Sequence, residues 1–243
     1  MLRRHLLVCF MVTMLAIAAV SRGIASETGP AEVIVLSTLH QMHAQTDGYS
    51  FDDLSEVIER LDPDILAVEL TATDFQSRRD QPTKQEYQQS VFPLLDKHDY
   101  ELVPLEPPQP LYDELVSLFR QAQKDLSEQN PVGAESFVLY MDSLFEYLGE
   151  LWVSPAAVNS RETDILFESK HRFQSALFGP VDARAWEGWN QHFLQQILQT
   201  AEANPDKRIL VLVGAEHAYW LRAHLANSAV ILLDTQRMLD EQK

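Results

Sequence analysis

Three short apolar runs, each followed by a polar side chain, constrain what this chain can fold into. They lie at residues 32–37, 65–70 and 208–213 and are rich in Val, Ile and Leu. Both of their faces are apolar, which is typical of parallel strands buried between helices. Apolar residues at helical spacing from Leu54 to Leu61 separate the first two runs, which indicates a strand–helix–strand unit. We therefore predict an α/β fold with a central, mainly parallel sheet.

Capping and proline signals place the remaining elements. Ser50 with two acids in the next three residues predicts the start of the first helix. Residues 100–105 and 229–233 predict two further strands, and Pro104 suggests that the former lies at or near a sheet edge. The pattern between about 111 and 204 is helical, so we expect flanking helices and a helical layer or cap over the sheet.

The N-terminal segment has the pattern of an export signal. Two arginines precede an uncharged apolar run at 6–20, and the small residues Gly23 and Ala25 fit a signal-peptidase site. We expect a signal peptide at 1–25 and a single domain at 26–243, in a periplasmic or secreted protein. The alternative is an uncleaved N-terminal anchor, and we expect membrane contact only in that case.

Composition narrows the classes of partner and of site chemistry. Cys9 is the only cysteine, and cleavage would remove it, so a metal site would have to use histidine and carboxylates. The formal net charge is −17, which makes a nucleic acid a poor partner. We expect a peptide or a small molecule as the substrate; nothing predicts the oligomeric state.

Three of the predicted strands are followed by groups able to do chemistry: His40, Glu69 and His217. Ligands of open parallel sheets bind at the carboxyl ends of the strands, so these groups should lie close together. Two imidazoles and a carboxylate match a divalent-metal site with open positions. They equally match a metal-free site in which histidine is the general base and Glu69 orients it.

Residues near these three positions either belong to the same site or have only a structural role. His43 could be a further ligand, and Glu106 repeats the strand-end acid, although the Pro-rich turn after it could simply expose it. Arg161, early in a predicted helix, could reach Glu69 or an oxyanion; the alternative is a surface charge cluster. Gly214 opens the turn to His217, where the amides of the following helix favour an anion.

Aromatic residues near these positions have two interpretations. The cluster at 186–193 has helical spacing, which is more often core packing than a ligand site. Tyr219 and Trp220, beside His217, either line a pocket or pack in the core.

The order of these motifs resembles a known superfamily. It includes the TraB/PrgY proteins, the TIKI proteases, the erythromycin esterases and the haem-binding ChaN-like proteins. The chain is similar to it over about residues 32–233, through strand–Thr-Leu-His, strand–Glu, Asn-x-Arg-Glu and Gly-x-x-His. The resemblance implies an α/β fold with catalytic His40, Glu69, Arg161 and His217. TIKI-type members are metal-dependent, with manganese or cobalt, whereas esterase members use histidine as a base without an obligatory metal.

One position departs from the family pattern. Ser37 stands where the first motif has glycine, which puts activity or substrate class in question. The leading hypothesis is an exported hydrolase of peptide or ester bonds in which His40, Glu69 and His217 hold manganese, cobalt or zinc, or in which one histidine is the base. The alternatives are a haem- or metal-binding carrier without turnover and an interaction module with a decayed site.

Overall fold

The computed structural model describes residues 29–241 and contains a five-stranded, all-parallel sheet in the order β3–β2–β4–β1–β5. The strands are β1 (Glu32–Thr38), β2 (Ile65–Val68), β3 (Glu101–Pro104), β4 (Arg208–Gly214) and β5 (Ile231–Leu232). The predicted α/β class is confirmed. Pro104 ends β3 at the edge of the sheet, as its missing N–H requires.

Helices account for most of the described residues. They are α1 (Phe51–Leu61), α2 (Ala72–Ser77), α3 (Phe92–Leu95), α4 (Leu111–Gln129), α5 (Pro131–Leu151), α6 (Pro155–Val158), α7 (Arg161–Phe178), α8 (Pro180–Ala203), α9 (Ala215–Leu225) and α10 (Thr235–Asp240). A 3-10 helix spans His40–Gln45 and a π-helical turn spans Tyr87–Val91. The helical block α4–α8 lies between β3 and β4 in the chain, where the helical layer was predicted.

The sheet is buried on both faces by two apolar clusters that alternate along each strand. Ile34, Leu36 and Leu210 belong to one cluster, whereas Val33 and Val35 belong to the other. Residues of α1, α5 and α7 cover the first face, and residues of α8 and α9 cover the second. This two-sided burial explains why the central strands read as continuous apolar runs.

Capping side chains determine where several of the helices begin. Ser50 caps α1 in a capping box with Asp53, as its sequence predicts. The segment from Pro155 onward lies in the stretch with a helical pattern, but it breaks at Asn159 into α6 and α7. Ser160 caps α7, and the Asn159 side chain turns inward, where its Oδ1 accepts the Ser37 N–H at 2.8 Å.

Two expectations concern membranes and export. In the part of the chain that the structure describes, no helix is long and apolar enough to cross a bilayer. The signal peptide predicted at 1–25 lies outside the described residues.

Asn159 holds the end of β1, and its loss should weaken the fold. Its Oδ1 also accepts from Arg222 Nη2 at 2.8 Å, and the residue is buried. We predict that Asn159→Ala lowers the free energy of unfolding by about 1–3 kcal/mol, because a buried N–H loses its acceptor. Urea unfolding measures this. Asn227→Ala, at an exposed position, is the control and should change stability by less than about 0.5 kcal/mol; equal effects would contradict the role of Asn159.

Candidate functional site

The carboxyl ends of three adjacent strands bring His40, Glu69 and His217 together. They follow β1, β2 and β4, and β4 lies between the other two strands. The His40 Nε2 and Glu69 Oε1 atoms are 3.8 Å apart, and both histidines act on the charge of Glu69. Groups separated by up to 177 positions in the sequence thus form one site because the sheet is parallel.

Glu69 is the buried anion at the centre of this site. Its Oε1 lies 2.9 Å from the Lys84 ammonium, and its Oε2 accepts the Gly214 N–H at 2.7 Å. Burial alone would raise the pKa of Glu69, but Lys84 and the two histidines outweigh it and hold the pKa well below its usual range. Glu69 therefore stays ionised in the folded protein.

Lys84 joins Glu69 to a second buried carboxylate, Glu106. Its ammonium also contacts Glu106 Oε1 and donates to the Glu69 carbonyl oxygen at 2.9 Å. Glu106 is 7% exposed, and its Oε2 has no hydrogen-bond partner among the described residues. Burial, opposed by Lys84, raises the pKa of Glu106 to about 7.

His40 is held in an unusual backbone conformation against a third carboxylate. Its φ of 52° lies in the left-handed region, which only a few per cent of non-glycine residues adopt. The ring Nδ1 lies 2.7 Å from Glu86 Oε1, which also accepts from the Thr38 hydroxyl at 3.1 Å. Burial would lower the pKa of His40, but Glu69 and Glu86 together raise it above its ordinary value.

Gly214 makes room for this ring. A Cβ built on Gly214 would lie 2.5 Å from His40 Nε2, which is closer than real Cβ contacts occur. The backbone of Gly214, with φ −53° and ψ 141°, is open to any residue. The glycine of the Gly-x-x-His motif is therefore needed for the close approach of His40 and not for its own conformation.

His217 is held as a neutral imidazole. Asn190 Oδ1 lies 2.9 Å from His217 Nδ1, and the Asn190 amide is oriented because its Nδ2 donates to the Trp186 carbonyl at 2.8 Å. An amide oxygen can only accept, so Nδ1 carries the proton and Nε2 keeps a free lone pair. Burial, opposed by Glu69 and Glu216, lowers the pKa of His217 to about 4.

The site thus contains two imidazoles whose environments push their pKa values apart. Such a pair is the physical signature of assigned acid–base roles. The pKa of His40 is raised above its ordinary value by Glu69 and Glu86, whereas burial lowers the pKa of His217 to about 4, so His217 is the neutral acceptor of the pair.

Two cavities open at this site and share Glu216 and His217. The first has a volume of about 430 Å³ and reaches Glu69, Lys84 and Glu106. The second has a volume of about 270 Å³ and reaches His40 and Gly214. Both are therefore in contact with groups that can perform chemistry.

Some predicted site residues lie elsewhere. Arg161 begins α7 with an exposed side chain in a cleft with Asp164 and Arg222, and its backbone N–H donates to Gln236. It does not pair with Glu69, whose cation is Lys84. Because α6 ends at Val158 and a new helix begins at Arg161, the Arg161 side chain lies at the surface.

His43 is a structural residue. Its Nε2 accepts the Leu39 N–H at 2.9 Å and its Nδ1 donates to the Tyr49 carbonyl at 2.7 Å. Both ring nitrogens are occupied, so none is left for a metal. Trp220 donates to Glu187 and stacks on His224, away from both cavities.

Sequence reasoning missed Lys84, Glu86 and Asn190. The first two lie in a polar stretch without periodicity, and the third lies inside a helix. A π-helical turn at Tyr87–Val91 follows Glu86, and the Tyr87 hydroxyl accepts the Glu69 N–H at 2.8 Å. Such turns are frequent at functional sites, but no sequence rule locates them.

The side chains at the site do not fit a three-ligand metal centre. Among the three predicted ligands, both oxygens of Glu69 are engaged, by Lys84 and by the Gly214 N–H, which leaves the Nε2 atoms of His40 and His217. Over residues 29–241, no group of three or more His, Cys, Asp or Glu side chains is arranged to hold a metal ion. The expected manganese, cobalt or zinc site stays a prediction.

Comparison with protein-family models, with curated proteins and with solved structures gives no match to this chain. The superfamily therefore remains a resemblance carried by four short motifs.

Replacing Gly214 should move the His40 ring without unfolding the protein. We predict that Gly214→Ala displaces the ring from Glu69 and lowers the pKa of His40 toward its ordinary value of 6.5. NMR titration of the histidine ring signals measures this shift.

Gly149→Ala is the matched control. A Cβ at Gly149 meets nothing within 4 Å, so alanine there should stabilise α5 by about 0.5–1 kcal/mol and leave the His40 titration unchanged. An unchanged His40 pKa in Gly214→Ala would contradict the proposed contact.

Proposed function

We propose that this protein is a hydrolase that cleaves a carboxylic ester or peptide bond with water and without a metal ion. The observation that carries the proposal is the pair of imidazoles at one cavity, each fixed through Nδ1 with its Nε2 left for chemistry. The expected export of the chain joins the proposal, since its substrate would then be met outside the cytoplasm.

His40 is the general base of the proposed reaction. Glu86 accepts from its Nδ1, which orients the ring and stabilises the imidazolium that forms. The Nε2 atom takes a proton from water as the water oxygen attacks the carbonyl carbon. His217 Nε2 accepts the other hydrogen of that water and so positions it.

The start of α9 is suited to the negative charge that develops on the carbonyl oxygen. Gly214, Ala215 and Glu216 line the cavity that contains His40. Among the described residues, no side chain caps the first turn of α9. The Gly214 N–H already donates to Glu69, so the amides of Ala215 and Glu216, together with the helix dipole, are the groups suited to an oxyanion.

In the last step of the proposed reaction, His40 gives up the proton that it took from water. When the tetrahedral intermediate collapses, the bond to the leaving alcohol or amine breaks, and the imidazolium of His40 returns its proton to that group. The products are a carboxylic acid and an alcohol or amine. Glu69 and Lys84 undergo no net change; their charges fix the field around His40.

The haem- or metal-carrier alternative stays a prediction. No feature of the described residues favours it over hydrolysis. A haemin titration tests it, because a bound histidine ligand would shift the Soret band.

Removing the base should abolish most of the turnover. We predict that His40→Gln lowers kcat/KM about 10²- to 10⁴-fold on whichever ester or peptide is cleaved. A panel of p-nitrophenyl esters and peptide p-nitroanilides provides the assay. His98→Gln, at an exposed histidine, is the control and should keep full activity. A wild-type rate of hydrolysis no higher than that of His40→Gln on every substrate of the panel would contradict the proposal.

The dependence of kcat/KM on pH should follow the protonation of His40. A general base works when deprotonated, so kcat/KM should fall as pH drops through the His40 pKa, which lies above 6.5. Glu86→Gln removes a carboxylate that raises this pKa and should move the acid limb to lower pH. Glu59→Gln, which changes an exposed acid, should leave the limb in place. A limb that does not move in Glu86→Gln would remove Glu86 from the proposed role.

Chelation should leave the activity intact. Because Lys84 already neutralises Glu69, we expect unchanged kcat/KM after EDTA treatment and after addition of manganese, cobalt or zinc. Elemental analysis of the same samples gives the bound metal. Activity that EDTA removes and one of these metals restores would overturn the metal-free mechanism and support the metal expectation.

A further inference from the structure

The two cavities at the site differ in chemistry. They meet at Glu216 and His217, so a molecule whose reacting bond lies beside His217 extends into both. What each cavity offers therefore indicates what the two halves of a substrate are.

The cavity beside His40 has a wall of large apolar side chains next to its reactive end, and Thr38 and Gln41 add polar groups to its lining. Its walls come from the 3-10 segment and from α5, α7 and the loop between α5 and α6: Leu39, Met42, Phe145, Trp152 and Phe167. Trp152 Nε1 donates to the Thr163 hydroxyl at 3.1 Å, so the polar atom of this ring is already satisfied within the protein. An apolar chain of modest length suits a space of this size, about 270 Å³.

The cavity beside Glu106 is rich in polar and aromatic groups. Acids and bases balance within it, three of each: Glu69, Glu106, Glu216, Lys84, Arg120 and Lys170. With all six groups ionised the formal charges cancel, so the lining favours neither a strongly charged anion nor a strongly charged cation. Trp186, Trp189 and Tyr112 add flat apolar surfaces, and Gln123 and Gln174 add amides.

Two lining residues of this cavity, Glu106 and Trp186, each carry a buried polar atom that lacks a partner among the described residues, and Glu106 Oε2 is the acceptor of the two. This Oε2 atom is buried and, within residues 29–241, accepts no hydrogen bond, although the residue lines the cavity. A buried polar atom without a partner is costly, and a ligand that donates to it removes that cost. A hydroxyl group is a donor without charge and so matches both this atom and the balanced lining.

We infer that the substrate is an ester of an apolar carboxylic acid with a neutral, hydroxyl-rich alcohol. The inference rests on the proposed hydrolysis and names its substrate class. The acyl chain occupies the cavity walled by Phe145, Trp152 and Phe167. The carbonyl lies at the start of α9, and the alcohol passes His217 toward Glu106. Hydrolysis leaves the acid in one cavity and the alcohol in the other.

Acyl length tests the apolar cavity. With p-nitrophenyl acetate, butyrate, hexanoate and octanoate, kcat/KM should rise about fourfold per methylene until the cavity is full and then fall. Phe145→Ala enlarges the cavity and should move the optimum to a longer chain. Phe173→Ala, at a more exposed phenylalanine of α7 that lines neither cavity, is the control and should keep the wild-type optimum. A flat dependence on length would overturn the acyl assignment.

The leaving group tests Glu106. The wild type should cleave glycerol monohexanoate with a higher kcat/KM than ethyl hexanoate. The ratio of these two kcat/KM values is compared between variants, because a substitution that harms catalysis in general lowers both values equally. Glu106→Leu should bring the ratio close to one, and Glu106→Gln, which keeps an acceptor, should retain part of it. Glu128→Gln, at an exposed acid of α4, should leave it unchanged. An unchanged ratio in Glu106→Leu would overturn this role.

Binding without turnover separates the two proposals. Octanoate should bind His40→Gln, measured by titration calorimetry, and Phe145→Trp on that background should abolish binding by filling the cavity. Octanoate binding in a protein that cleaves no ester would refute the hydrolase, and the substrate class with it, while keeping the apolar cavity as a binding site. Ester cleavage without dependence on Phe145 would keep the hydrolase and refute the substrate class.

Discussion

The site depends on one buried cation, the ammonium of Lys84 between Glu69 and Glu106. Two carboxylates beside each other in a buried site cannot both remain ionised without such a partner. Lys84 stabilises Glu69 as an anion, while Glu106, less well compensated, titrates near neutrality. The charge on Glu69 then acts on both histidines. The electrostatics of the site thus begin with a residue from an irregular loop.

The histidines show how position decides chemistry. His40 lies against two carboxylates, so its imidazolium is stabilised in spite of burial. His217 has an amide and two aromatic rings as its nearest neighbours, so burial dominates and the ring stays neutral. The same side chain is therefore suited to be a base after one strand and a fixed acceptor after the neighbouring strand.

The sheet and its polar edge were predictable because they depend on local patterns. An apolar run such as 208–213 is stable only when both of its faces are buried. The side chains that follow parallel runs of this kind lie together at the carboxyl edge of the sheet. Lys84 and Glu86 were not predictable, because their positions depend on an irregular stretch and a π-helical turn that tertiary contacts stabilise. Of the two interpretations of Arg161, the one that placed it beside Glu69 does not hold, because Asn159 and Ser160 end one helix and begin another, which helical periodicity does not reveal.

Within the described residues, the proposed base and the field around it come from segments at the sheet edge, whereas most of the cavity walls come from the helical block. The sheet edge is held by strand pairing and by bonds such as Gly214 N–H to Glu69. The walls that α4, α5 and α7 contribute do not take part in those bonds. Side chains such as Phe119 and Phe145 can therefore vary with little effect on the acid–base groups. Under the proposed hydrolysis, a lineage of this architecture could exchange one substrate for another through mutations in these helices, while the inherited sheet edge keeps the same acid–base groups.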